Sequence, residues 1–154
     1  IEPVVLPPLI EECLQLIHTQ CEKRQLSSSF HCPQQVAVRA DRTRLKQVLV
    51  NLLSNAVKYN KECGTIQVDV LPGSAGHLCI RITDSGIGIP AEQQTRIFEP
   101  FYTTKAAGEG TGLGLHICRQ IVEKCHGSIS LQSQYNQGTQ FIIYLPVYHK
   151  RELA

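Results

Sequence analysis

The 154-residue sequence has no apolar run near the roughly 18 residues that a membrane span requires. Its opening Ile1-Glu2-Pro3-Val4 has neither the basic region, the long apolar run nor the cleavage site of a secretory leader. The abrupt start reads as a piece cut from a longer protein. Charge of either sign is in short supply: charged residues make up 18%, and 15 Lys and Arg face 13 Asp and Glu. A formal charge of +2 gives no global case for a nucleic acid partner or for direct membrane contact. No C-x-x-C occurs among the seven cysteines, which are odd in number and scattered. They read as free thiols in a reducing cytoplasm, and Cys13, Cys79 and Cys118 sit among apolar residues, where a thiol packs as a small hydrophobe. His31-Cys32 and Cys125-His126 are poor metal ligands, because adjacent residues on a helix do not share a face and no second pair stands at zinc-like spacing.

The length suits one compact domain, and the apolar fraction of 42% is ordinary for a soluble fold. Residues 1–8 hold three prolines and read as an extended linker or edge segment. A helix is expected over 9–23, with Leu9, Ile10, Cys13, Leu14, Leu16 and Ile17 as its apolar stripe, ended by Ser27-Ser-Ser29. A short strand over 36–38 leads to Asp41, a candidate N-cap. The clearest pattern is a second helix over 42–59. There Leu45, Val48, Leu49, Leu52, Leu53, Ala56 and Val57 follow helical spacing. Strands are expected over 65–71 and 77–83, then a glycine-rich turn at 84–90 and a short helix to about Phe98. The stretch 99–111 reads as irregular and mobile. A helix over 113–124 with Gly127 as its C′ residue and strands over 128–133 and 139–145 complete the domain, 9–146. A solvated tail, 147–154, follows.

Three elements carry chemistry. On the second helix, Asn51, Asn55 and Lys58 form one stripe beside the apolar face, with Tyr59 at its border. Amide oxygens are hard neutral ligands suited to Mg²⁺, and a lysine one turn on adds charge for a phosphate; the plainer reading is a solvated polar face. Asp84-Ser-Gly-Ile-Gly-Ile-Pro90 ends an apolar strand. Its glycines let backbone approach a flat ligand and its aspartate can accept from an exocyclic amine, or simply cap nearby amides. Gly108-Glu-Gly-Thr-Gly-Leu-Gly-Leu115 runs into a helix whose first N–H groups form an anion site, unless it is only a flexible loop. It lacks the G-K-[ST] ending of a P-loop and does not sit where a Rossmann turn would.

In this order and spacing the three elements resemble the GHKL ATPases and, among them, the sensor histidine kinases. Residues 41–60 look like that family's N box and Asp84-Ser-Gly-Ile-Gly-Ile-Pro90 like its first glycine box. Ile97-Phe-Glu-Pro-Phe101 looks like its F box, and 110–115 like its second glycine box. The resemblance covers about 9–146. It implies an α/β (α+β) two-layer sandwich of the Bergerat type, a mixed, mainly antiparallel sheet packed on about three helices. It further implies that Asn55, supported by Asn51, holds Mg²⁺ against ATP, that Lys58 touches phosphate and that Tyr59 packs on adenine. Asp84 would accept from the adenine amino group in a pocket shaped by Gly86, Gly88 and Ile89. Phe98 and Phe101 would anchor a lid over 99–111, with Lys105 approaching the γ-phosphate. Gly110, Thr111, Gly112, Leu113, Gly114 and Leu115 would form the phosphate loop.

The function so implied is a protein-histidine kinase's ATP-binding catalytic domain, donating the γ-phosphate of Mg-ATP within a two-component system that ends on a response regulator. The family's acceptor histidine precedes an acidic residue on a separate dimerisation domain. None of His18, His31, His77, His116, His126 and His149 is followed by one, so the acceptor is expected elsewhere in the same cytoplasmic parent, membrane-anchored or not. ATP-hydrolysing relatives such as the gyrase B subunit or MutL-type proteins carry a glutamate where Asn51 stands, and an amide cannot serve as their general base. A non-catalytic nucleotide-binding module would be expected to have lost Asn55, Asp84 or the second glycine box.

Overall fold

A computed structural model describes residues 1–33, 36–100, 102 and 114–149. The elements run β1 (Glu2–Val5), α1 (Leu6–Lys23), β2 (Ser27–His31), β3 (Ala37–Ala40), α2 (Arg42–Lys58), β4 (Thr65–Pro72), β5 (His77–Asp84), α3 (Ala91–Gln94), α4 (Gly114–Lys124), β6 (Ser128–Gln134) and β7 (Gly138–Pro146). Five strands form a sheet in the order β2-β4-β5-β7-β6. Its β2–β4 pair is parallel and its other pairs are antiparallel. The mixed, mainly antiparallel sandwich is therefore as expected, with α1, α2 and α4 as its helices and α3 a single extra turn.

Strand periodicity decides which face of the sheet is covered. Ile66, Val68 and Val70 on β4, Leu78, Ile80 and Ile82 on β5, and Phe141, Ile143 and Leu145 on β7 all enter one core. The seven apolar positions foreseen on α2 are all buried. α2 lies between α1 and α4 and packs on β5. Truncating a fully enclosed side chain such as Leu52, 1% exposed, would cost about 2–5 kcal/mol. Asp41 caps α2 as expected, its carboxylate accepting from the Arg44 N–H at 3.2 Å. Glu12 of α1 bridges to Lys46 at 2.7 Å and Arg42 at 2.8 Å on α2. Hydrogen bonds from Lys46 and then Arg42 lower its carboxyl to about 2.

Several boundaries differ from expectation for physical reasons. Residues 1–8 are not simply a linker: β1 pairs antiparallel with β3 in a two-stranded sheet, and α1 starts at Leu6. Pro7 and Pro8 fall in its first turn, where a missing N–H costs no helical hydrogen bond. Leu16, counted in the apolar stripe, is 55% exposed. Ser27-Ser-Ser29 does not merely end α1 but opens β2, an edge strand in register with β4. The expected strand over 36–38 runs instead over Ala37–Ala40, and the short helix expected to reach Phe98 ends at Gln94. The segment expected to be a solvated tail begins docked: Val147 bridges Val38, and the Tyr148 N–H donates to Ala37 O at 2.9 Å.

The end of α4 is a further correction. His126, not Gly127, takes the left-handed C′ position (φ 63°). Its N–H donates to Glu123 O while Gly127 N donates to Val122 O, the paired bonds of a Schellman turn. Gly127 is required for a different reason, since a Cβ there would lie 2.1 Å from Tyr144 O.

Candidate functional site

α2 carries Asn51 and Asn55 one turn apart, both half-buried, and ends in exposed Lys58 and partly exposed Tyr59. The Lys58 ammonium lies 5.5 Å from the centroid of the Tyr59 ring, within the range of a cation–π contact. α4 begins against this stripe: a Cβ on Gly114 would sit 2.9 Å from the Asn51 amide nitrogen. The start of the last helix and the polar side of α2 are thus one surface. Leu115 turns away and packs against the core.

The turn after β5 closes on the end of α2. The Ile87 N–H donates to Tyr59 O at 3.1 Å, and a Cβ on Gly86 would lie 2.2 Å from that same oxygen. Gly88 has φ +71°, and its Cβ would meet Gln134 O at 2.1 Å. Any side chain here would push the turn off its neighbours, so both glycines are dictated by close approach and one also by conformation. Asp84 accepts from Gly86 N at 2.8 Å and from the backbone N–H of Thr139. Burial nonetheless raises its carboxyl above the ordinary 3.8, outweighing these two donors. Ile89 packs against the core, and its N–H donates to Ser133 Oγ at 2.8 Å. Phe98 meets Phe141 edge-on, with ring centroids 6.3 Å apart. Of the residues singled out from the sequence, Phe101, Lys105, Gly110, Thr111, Gly112 and Leu113 lie outside the described residues, as does most of 99–111.

Other residues hold this site together without having been foreseen in that role. Buried Asn60 donates to Thr65 O at 3.0 Å and accepts from Lys61 N at 2.9 Å and Ser85 Oγ at 3.1 Å. Ser85 Oγ in turn accepts from Thr65 N at 2.8 Å. The Gln94 amide donates to Ile89 O at 2.7 Å and to Ser133 O at 3.0 Å, tying α3 and β6 to the glycine turn. Arg24 donates to the carbonyls of Val57, Lys58 and Asn60. Their partners lie up to tens of residues away in the chain, so no local spacing marks them.

The described site is therefore a half-buried carboxylate, a glycine turn fixed to an aromatic residue, two stacked amides and a helix start, all on one side of α2. The chain's relatives say which family it comes from. Residues 40–149 match the family described as histidine kinase-, DNA gyrase B- and HSP90-like ATPase, and the chain belongs to it. Within that family it is a catalytic ATP-binding domain of the sensor histidine kinase type. It is 41% identical over 146 residues to the adaptive-response sensory kinase SasA of Gloeothece citriformis, covering 93% of this chain and 37% of that protein. It is 40% identical over 148 residues to the sensor histidine kinase ZraS of Escherichia coli, covering 96% of this chain and 31% of that one. The chain thus spans about a third of the length of these curated relatives. Among solved structures, the nucleotide-free catalytic domain of histidine kinase ThkA superposes with a TM-score of 0.84 at 37% identity, over 94% of each chain. Full-length ShkA in complex with AMPPNP superposes with a TM-score of 0.83 at 26% identity, over 95% of this chain and 31% of that one. Among the described residues no helix is long and apolar enough to cross a membrane.

Proposed function

We propose that this chain binds Mg-ATP between α2 and the glycine turn and donates the γ-phosphoryl group to a histidine on a separate dimerisation domain of the same parent protein. A response regulator would then receive it, and the domain would work in the cytoplasm, where ATP is supplied. The observation that supports this reading is that the glycine turn beginning at Asp84 is bonded to Tyr59 at the end of α2, the helix that carries Asn51 and Asn55. A carboxylate and an aromatic residue would then serve one end of the ligand and neutral amides the other.

In this reading Asp84 accepts from the exocyclic amine of adenine, Tyr59 packs on the base, and Gly86, Gly88 and Ile89 shape the pocket. Lys58 and the loop ending at Gly114 meet the phosphates. Asn55 and Asn51 fit Mg²⁺ as supporting ligands. Two neutral amides leave room for waters and phosphate oxygens. Bound there, Mg²⁺ would supply charge neutralisation for the phosphates. The chain's own task is then positioning, because phosphoryl transfer asks little covalent help of the protein. An imidazole nitrogen bonds the γ-phosphorus as the bond to the bridging oxygen breaks, and ADP leaves. Asn51 stands where a hydrolase of this family needs a general base, and its amide cannot take a proton from water at neutral pH. This favours transfer over hydrolysis.

The test is calorimetric titration of ATP with and without Mg²⁺, followed by transfer from labelled ATP to a histidine-bearing helical domain supplied in trans. Saturable binding strengthened by Mg²⁺, then acid-labile label on that domain, is expected. If the chain fails to bind ATP at millimolar concentration, the proposal is wrong.

A further inference from the structure

We propose that Arg24 is a positioning residue for the nucleotide, acting through Tyr59 from outside the pocket; this rests on the reading of Tyr59 as the adenine-packing residue. Arg24 is the C-cap of α1 and lies far in sequence from every site motif. The backbone around it is fixed. The N–H groups of Gln25 and Leu26 donate to Glu22 O and Cys21 O, closing α1, and Cys63 N donates to Arg24 O at 3.2 Å. Its side chain, only 27% exposed, crosses to the far end of α2. There one terminal nitrogen donates to Val57 O and, at 3.2 Å, to Lys58 O, while the other donates to Asn60 O. Nε pairs with Glu62 at 3.1 Å.

The last carbonyls of a helix have no intrahelical partner and carry the negative end of its dipole, so a guanidinium there is favoured twice over. More telling is which carbonyls are held. Val57, Lys58 and Asn60 bracket Tyr59, and the one carbonyl left out, that of Tyr59, accepts from Ile87 N in the glycine turn. The segment 57–60 is thus clamped from two sides, by Arg24 on one and by the adenine turn on the other. A planar fork with five donors can serve three diverging carbonyls, whereas an ammonium is a point charge that cannot span them. Stability alone would be met by any capping cation. The three-point hold fixes the peptide planes on both sides of Tyr59 and hence the direction in which its Cα–Cβ bond presents the ring.

The experiment measures ATP affinity and melting temperature for Arg24→Lys and Arg24→Gln, each alone and combined with Tyr59→Leu. Glu62→Gln serves as a control. Loss of affinity by roughly tenfold in Arg24→Gln, the scale of one charge-assisted hydrogen bond, and a smaller loss in Arg24→Lys are expected. Both losses should shrink to within about twofold in the Tyr59→Leu background, and Glu62→Gln should bind as the parent does. Losses that persist undiminished without the Tyr59 ring, or Arg24 variants that bind like the parent, would overturn the assignment. If Arg24→Gln does not fold, the same cycle is read on Arg24→Lys, which keeps the charge at the helix end. Failure of the unmodified chain to bind ATP would defeat the nucleotide reading itself, an outcome separate from parent binding with indifferent Arg24 variants.

Discussion

The two ends of the site are built from different materials. At the Asp84 end, backbone meets backbone: Gly86 lies against Tyr59 O, Gly88 against Gln134 O and Gly138 against Asp84 O, each leaving a Cβ only 2.1–2.2 Å of room. At the Asn51 end the described contact is between Gly114 and a side-chain amide, whose nitrogen would lie 2.9 Å from a Cβ. Main chain held in a sheet or helix cannot step aside, whereas an asparagine side chain can rotate. The Asp84 end is therefore a mould set by the fold, and the Asn51 end is one that a side chain can adjust. In the proposed reading the first would suit a rigid planar base and the second a chain of phosphates whose position changes during transfer.

The sharpest way to break this comparison is Gly86→Ala. Its Cβ would meet the Tyr59 carbonyl and the Asn60 Cα at 2.9 Å, so the glycine turn and the end of α2 must separate. The expected cost is about 1–3 kcal/mol of stability, with loss of measurable ATP binding, read by thermal denaturation and calorimetry. A variant that melts and binds like the parent would mean the turn can yield, and the distinction between the two ends would disappear.

Asp84→Asn comes next and separates function from stability. Because burial raises the folded-state pKa of Asp84 above 3.8, folding binds this proton more tightly than the unfolded chain does. The stabilisation is full below pH 3.8 and is lost as pH rises through the raised value. At neutral pH the ionised carboxylate is therefore a net burden on the fold. The Asp84→Asn variant would keep an acceptor for Gly86 N while removing that burden, so its stability at neutral pH should hold or rise and its acid-side slope should flatten. ATP affinity should fall at least about tenfold with the loss of a charged acceptor. Glu12 serves as the opposite case in the same pH scan. Its carboxyl is lowered from 4.5 to about 2, so its contribution is present above 4.5 and fades as pH falls toward 2. A parent whose acid-side profile matches that of Asp84→Asn would show that the carboxylate is not desolvated in the folded chain.

The sequence made the inner layer legible because its signals are local. The apolar positions of α2 repeat at helical spacing and are all buried, and alternation in β4, β5 and β7 marks the covered face. Asp84, Gly86 and Gly88 stand close together, so one turn reveals them. What stayed hidden depends on distant partners. β2 is three serines, a phenylalanine and a histidine, with no alternation to read, and it is a strand only because β4 lies beside it. Arg24 and Val57 are 33 residues apart, and Asn60 and Ser85 are 25 apart, so no spacing rule could have joined them. His126 in a left-handed turn was concealed by the more obliging Gly127, whose own reason is the strand crossing beneath it.

The smallest expected effect, and the finest test of the comparison, is Gly114→Ala. The new Cβ would press on the Asn51 amide at 2.9–3.2 Å, and that amide sits at the end of a short side chain able to rotate. Alanine is also the better helix former, by up to about 1 kcal/mol, so the melting temperature should stay level or rise slightly. Displacing Asn51 should weaken binding of ATP with Mg²⁺ by a few-fold, a fraction of a tenfold step, while leaving affinity for adenosine, which in the proposed reading would lean on Asp84 and Tyr59, unchanged. Calorimetry with both ligands reads the two ends separately. If Gly114→Ala lowered stability as much as Gly86→Ala, or weakened adenosine and ATP alike, the Asn51 end would be as unyielding as the Asp84 end. The site would then have to be described as a single rigid mould.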